Sequence, residues 1–165
     1  MKKSLSFTAL ISAALVLIIV LTGCTAGNKG GTVMNNTLTG EIADDILSAV
    51  EIPSPVLKSK DDVQILITGI DVSVIQDVSY YICGSGAYPD ELLIIKFSNA
   101  EEAAKAMSAV QKRLDSRKDD FRDYRPEEMY KLDDAVIQTD ANWLFFFATS
   151  DNVRVKEIVS SYVKG

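Results

Sequence analysis

Two stretches decide the fold: residues 91–97, ELLIIKF, and residues 143–149, WLFFFAT. Side chains alternate faces along a strand. In the first stretch Leu93, Ile95 and Phe97 therefore point one way, and Leu92 and Ile94 the other. In the second, Trp143, Phe145 and Phe147 oppose Leu144 and Phe146. Strands apolar on both faces belong inside a sheet covered on both sides, since a sheet with one wet face alternates more cleanly.

Working outward, residues 78–83 (VSYYIC) are β-branched and aromatic and read as a strand. The glycine-containing run 84–89 then makes a hairpin loop to residues 91–97. Residues 135–139 pair with 143–149 across a turn at Asp140, Ala141 and Asn142. Each hairpin leads into a helix. Asn99 with Glu101 and Glu102 opens one that carries Ala103, Met107, Val110 and Leu114 on one face and runs to about Asp120. Ser150 and Asp151 open the other, with Val155, Ile158, Val159 and Tyr162 on its apolar face.

Upstream, Ile42, Ile46, Leu47 and Val50 recur at helical spacing, and Pro53 and Pro55 end that run. Residues 60–69 suit a short helix, although their β-branched content leaves a strand open. The expectation is an α+β domain with a four-stranded, mostly antiparallel sheet in the order (αα)ββαββα. The second half repeats the first by element but not by residue. The two long C-terminal helices are expected on one face and helices 41–50 and 60–69 across the other. A part-open second face would instead make a groove for a partner or an apolar ligand.

The N-terminus reads as an address. Lys2 and Lys3 precede a charge-free apolar stretch, residues 5–21, followed by Thr22, Gly23 and Cys24. Basic start, apolar middle and small residues make a secretory signal. Leu21-Thr22-Gly23-Cys24 resembles a bacterial lipobox. That resemblance implies cleavage before Cys24 and acyl chains on its sulfur, and two chains hold a protein to a bilayer far better than one. An uncleaved membrane anchor is the alternative. Residues 25–40 (TAGNKGGTVMNNTLTG) lack apolar periodicity and read as a flexible tether with a reach of about 20–24 Å. The expected division is a signal peptide at 1–23, a lipidated Cys24 and tether at 24–40, and one domain at 41–165.

Composition narrows the chemistry. The 165 residues carry a formal net charge of −6, and a leader with two lysines and no acid leaves the remainder more acidic still. Without a basic stripe, nucleic acid is not an expected partner. There is no histidine, which excludes Ser-His-Asp and Cys-His catalysis and histidine-ligated zinc. Cys83, with Cys24 lipidated, has no intrachain partner and reads as a buried small hydrophobe. The acids between Asp115 and Glu128 are interleaved with Arg117, Lys118, Arg122 and Arg125, with Arg113 just before them, as on a solvated helix face, rather than following a calcium-loop spacing. The Gly84-Ser85-Gly86 loop precedes a strand, not the helix a phosphate loop needs. No catalytic residue, metal site or cofactor is assigned. Tyr88, Tyr124, Arg125 and Tyr130 form the most unusual polar-aromatic group and are the candidate binding surface.

One wider resemblance covers most of the domain. GSGAYPDELLIIKF, the segment Phe-x-x-Tyr-x-Pro-Glu-Glu (residues 121–128) and DAVIQTDANWLFFFATSD are similar to small Gram-positive lipoproteins carrying a domain of unknown function. The resemblance implies a location and a domain boundary, with no activity, cofactor or catalytic residue. The expected function is a membrane-anchored, exported, non-enzymatic binding or accessory module on the outer face of the cytoplasmic membrane. A small-ligand-binding domain using the hairpin end of the sheet is the alternative, and a small envelope enzyme the third. The expected partners are the membrane, through the lipid, and an envelope protein or a small ligand.

Overall fold

A computed structural model describes residues 37–163. The leader at 1–23, Cys24 and the tether up to residue 36 lie outside the described residues. The folded part already includes Thr37, ahead of the expected start at Glu41: Thr37 and Thr39 are buried.

The elements run α1 (Thr39–Ala49), β1 (Pro55–Lys58), α2 (Lys60–Leu66), β2 (Ile75–Cys83), β3 (Glu91–Phe97), α3 (Ala100–Tyr124), α4 (Met129–Asp133), β4 (Val136–Asp140), β5 (Trp143–Ala148) and α5 (Asn152–Val163), with short 3-10 turns at Val72–Val74 and Pro126–Glu128. The sheet has five strands in the order β1-β2-β3-β5-β4, and every neighbouring pair is antiparallel. The four-stranded expectation is corrected by β1. Its four residues open on Pro55, which reads as a breaker but is tolerated at the first position of an edge strand.

Residues 60–66 are helical because Ser59 and Asp62 form a capping box. The Ser59 backbone N–H donates to Asp62 Oδ2 at 2.8 Å, and the Asp62 N–H donates to Ser59 Oγ at 3.2 Å. That reciprocal pair outweighs the β-branched content behind it. Helix α3 opens on Asn99, whose side chain accepts from the Glu102 N–H at 3.0 Å. It continues past Asp120 to Tyr124, because Phe121 is buried and anchors a further turn.

The two central strands, β3 and β5, face two separate cores as their alternation requires. Leu93, Ile95, Phe97, Leu144 and Phe146 pack with Val63 of α2 and Ile67 just after it, and with Ala103, Ala106, Val110 and Phe121 of α3. Leu92, Ile94, Trp143, Phe145 and Phe147 pack with Ile42 and Ile46 of α1 and Val155, Val159 and Tyr162 of α5. Among the described residues the inward side chains of the two central strands are buried on both faces. The helices do not divide as expected: each face takes one N-terminal and one C-terminal helix, α2 with α3 and α1 with α5. The connection explains it. Strands β3 and β4 are both antiparallel to β5 and hence parallel to each other, so α3 lies in a crossover, whose hand is nearly invariant. Helix α5 closes no crossover and is free to take the opposite face. The repetition of two hairpin–helix units therefore stops at element order.

Helix α1 is fastened to this second face through its first turn. The Thr39 N–H donates to Asp77 Oδ2 at 2.8 Å, and Thr39 Oγ1 lies 3.0 Å from Ser79 Oγ. The Tyr162 hydroxyl donates to Asp45 Oδ2, joining α5 to α1. Edge strand β1 depends on a close approach. A Cβ on Gly84 would lie 2.5 Å from Val56 Cγ2 and 3.0 Å from the Ser54 carbonyl oxygen. Gly84→Ala should push β1 off β2 and cost about 1–3 kcal/mol, read as a lowered thermal midpoint by circular dichroism.

Candidate functional site

The end of the sheet that carries the β2–β3 loop gathers three further segments. The loop, residues 84–90, meets the chain after α3, residues 125–133, and the β5–α5 junction, residues 149–152. Strand pairing puts them together, since Glu91 lies opposite Ala148.

Lys131 is the pivot. Its side chain is only 6% exposed, and its Nζ lies 2.7 Å from Asp90 Oδ2 and 2.9 Å from Glu128 Oε2. The same ammonium sits 5.3 Å from the centre of the Tyr88 ring and 5.9 Å from that of Tyr130. The Arg125 guanidinium lies 4.9 Å from the Tyr88 ring centre, pairs with Glu127 at 2.7 Å and donates to the Ala87 carbonyl oxygen at 3.4 Å. A cation held against an aromatic face is attracted by its quadrupole. Tyr88, Arg125 and Tyr130 are therefore brought together around Lys131. Tyr124 stands apart, edge-on to Phe121 with ring centres 5.9 Å away, and is 60% exposed.

The next residue along anchors the same loop to a different helix. Glu91 is buried at the start of β3. Arg113 donates to both its oxygens, Nε to Oε1 at 3.1 Å and Nη2 to Oε2 at 3.2 Å. Arg117 Nε lies 3.7 Å from Oε2, and the Tyr80 hydroxyl donates to Oε1. Asp90 thus ties the loop to α4, and Glu91 ties it to α3.

Titration follows these placements. Burial raises the pKa of Asp90, and the Lys131 ammonium offsets part of that rise. Burial works against the charge on Lys131, but hydrogen bonds to Asp90 and Glu128 outweigh it and lift its pKa. Burial, then the charge of Glu91, pushes the Tyr80 phenol far above the usual tyrosine range. Asp90 Oδ1 is buried and without a hydrogen-bond partner among the described residues. The Cys83 thiol is buried and free, with Sγ 3.2 Å from Ser85 Oγ. Burial raises its pKa, but hydrogen bonds from Ser85 and the loop backbone more than offset this and leave it lowered.

Beside this rim an open cleft of about 460 Å³ lies between α4 and the first turn of α5. Tyr130, Asp134 and Val136 line one side, and residues 149–153 with Lys156 the other. The acids of α3 are engaged elsewhere. Arg122 pairs with Asp119 at 3.2 Å, Lys118 with Asp133 at 3.1 Å, and Gln111 bonds Asp115 at 2.9 Å. Among the described residues no group of three or more cysteines and acids is placed to hold a metal ion. None of the described helices is long and apolar enough to cross a membrane.

The model of one protein family, Domain of unknown function (DUF4358), matches residues 59–149, more than half of the chain. The chain belongs to this family. The DUF4358 match takes in the whole of the rim, from Tyr80 and the 84–90 loop through Lys131, and ends at Thr149. Helices α1 and α5, which cover the second sheet face, fall outside it. No curated protein and no solved structure matches the chain.

Sequence reasoning missed Lys131, Asp90 and Asn152. A signal for the first two existed. Asp90 and Glu91 abut a strand that is apolar on both faces, so their carboxylates need buried cationic partners. The partner of Asp90 is 41 positions away, which no local pattern reveals.

Proposed function

We propose that this DUF4358 protein is an exported, lipid-anchored lipoprotein whose domain is a non-enzymatic binding or accessory module at the outer face of the cytoplasmic membrane. The anchor rests on the lipobox-like Leu21-Thr22-Gly23-Cys24 after a basic and apolar leader. The binding role is carried by one observation: the aromatic and cationic rim around Lys131 is clamped to two helices, with an open cleft beside it. At this rim Asp90 is neutralised by the buried Lys131 and Glu91 by the half-buried Arg113 and Arg117, an arrangement suited to holding a surface in shape. Envelope-protein docking is the first reading. The cleft supports the second, small-ligand binding at the same end.

Cells grown with a clickable palmitate analogue should label the wild-type chain and leave Cys24→Ala unlabelled. A wild-type chain that stays unlabelled and keeps its leader overturns the anchor. Crosslinking native membranes should recover the chain with a defined partner, and substitution of Arg125 should weaken that recovery. Recovery that the Arg125 variant leaves unchanged counts against the rim.

A further inference from the structure

The second reading can be taken further, to a ligand class. We propose that the cleft between α4 and the first turn of α5 binds a neutral, hydroxyl-rich ligand, a short sugar chain. Its size falls within the roughly 300–1,000 Å³ of small-molecule sites. Its base is set before any ligand arrives. Asn152 is 8% exposed, and its Nδ2 donates to the Lys131 and Asp134 carbonyl oxygens at 3.1 and 3.0 Å. Its Oδ1 accepts from the Thr149 N–H at 2.8 Å and from the Thr149 hydroxyl at 3.0 Å. A base with its bonds already made loses little freedom on binding.

The walls supply the recognition. Tyr130 is 48% exposed and offers an amphipathic ring, on which the C–H face of a sugar can lie. Asp134 and Lys156 both line the cleft, and neither takes part in an ion pair among the described residues. They are an acceptor and a donor available to hydroxyl groups. The remaining classes fit less well. An anion would face Asp134 and Asp151 on an acidic chain, and a cation would face Lys156. An apolar ligand would strip water from the carboxylates with nothing in exchange. A polyol presents donors and acceptors together and adds no charge.

The test uses the full chain in a sugar-free detergent, with tetramers of β-1,4-linked N-acetylglucosamine and of α-1,4-linked glucose as probes. Saturation-transfer NMR should show transfer to the ring C–H protons of at least one tetramer. Tyr130→Ala should weaken that binding about tenfold or more, while Tyr130→Phe retains it. Tyr130→Phe should keep the wild-type melting midpoint, and Tyr130→Ala should stay folded with only a small lowering, because Tyr130 lies outside the two cores and loses one ring contact to Lys131. Absence of transfer to both tetramers, transfer indifferent to Tyr130→Ala, or displacement of the sugar by inorganic phosphate overturns the proposal. A photoreactive side chain at the exposed Val153, used in cells, separates the failures. If the sugars fail and Val153 crosslinks an envelope protein, the ligand class falls and the docking reading stands. If both fail, both readings of this end of the sheet fall.

Discussion

Lys131→Met should destabilise the domain by about 3–5 kcal/mol, the usual cost of leaving one member of a buried ion pair without its partner. Asp90 would remain fully buried with neither oxygen bonded, since Oδ1 already lacks a partner and Oδ2 would lose the ammonium at 2.7 Å. Glu128 would lose its 2.9 Å contact as well. The loss should depend on pH in a defined direction. The folded-state pKa of Asp90 is already raised by burial, and removing Lys131 raises it further. An acid with a raised folded pKa stabilises the folded state below its unfolded pKa, and that contribution fades as pH rises through the folded value. The deficit of Lys131→Met should therefore shrink on acidification, and urea titrations at several pH values would measure it. The double variant Asp90→Asn/Lys131→Met should recover most of the loss, because the fully buried charge is then gone and Glu128 keeps Arg125 at 3.8 Å. A double variant as unstable as the single one would mean that the methylenes of Lys131 matter and the ion pair does not.

How much of this was legible depends on how far apart the interacting residues are. The central strands could be read because the evidence for them is local: four consecutive apolar residues in β3 and six in β5, apolar on both faces. The facing of Leu93 against Leu92 and of Phe146 against Phe145 followed from pleating alone. Edge strand β1 could not be read, because PVLK is short, starts with proline and has three exposed positions. Its place is set by Gly84, which lets Val56 approach the β2–β3 loop. The division of helices between faces depends on a crossover connection, a property of the whole chain. The rim was half legible. Tyr88, Arg125 and Tyr130 stand out as aromatic and cationic residues near glycine and proline, whereas Lys131, in a five-residue helix, carries no local mark of being buried. Asn152 carries no local mark in the sequence, since its role in fixing the cleft depends on carbonyl groups 21 and 18 positions earlier.

Glu91→Ala should be the other severe substitution, again about 3–5 kcal/mol, for the opposite electrostatic reason. The carboxylate is the shared counter-charge of two guanidiniums whose side chains are 16% and 17% exposed. Without it Arg113 and Arg117 face each other across the site. Burial already lowers the pKa of Arg117, and the neighbouring Arg113 adds to that. The Tyr80 hydroxyl would lose its acceptor too. The wild-type chain should show the same network through its alkaline behaviour. Tyr80 ionises near 10.0 when unfolded and stays protonated well above that when folded. Above pH 10 the unfolded state therefore binds fewer protons than the folded state, and stability falls as pH rises. Lys131, also raised in the folded state, adds to the decline above its unfolded value of 10.5. Tyr80→Phe should flatten the first part of this decline while costing stability at neutral pH through the lost hydrogen bond, about 1 kcal/mol. Thermal melts of wild type and Tyr80→Phe across that pH range decide the point. Parallel alkaline slopes would show that the Tyr80 phenol is not held protonated by burial next to Glu91.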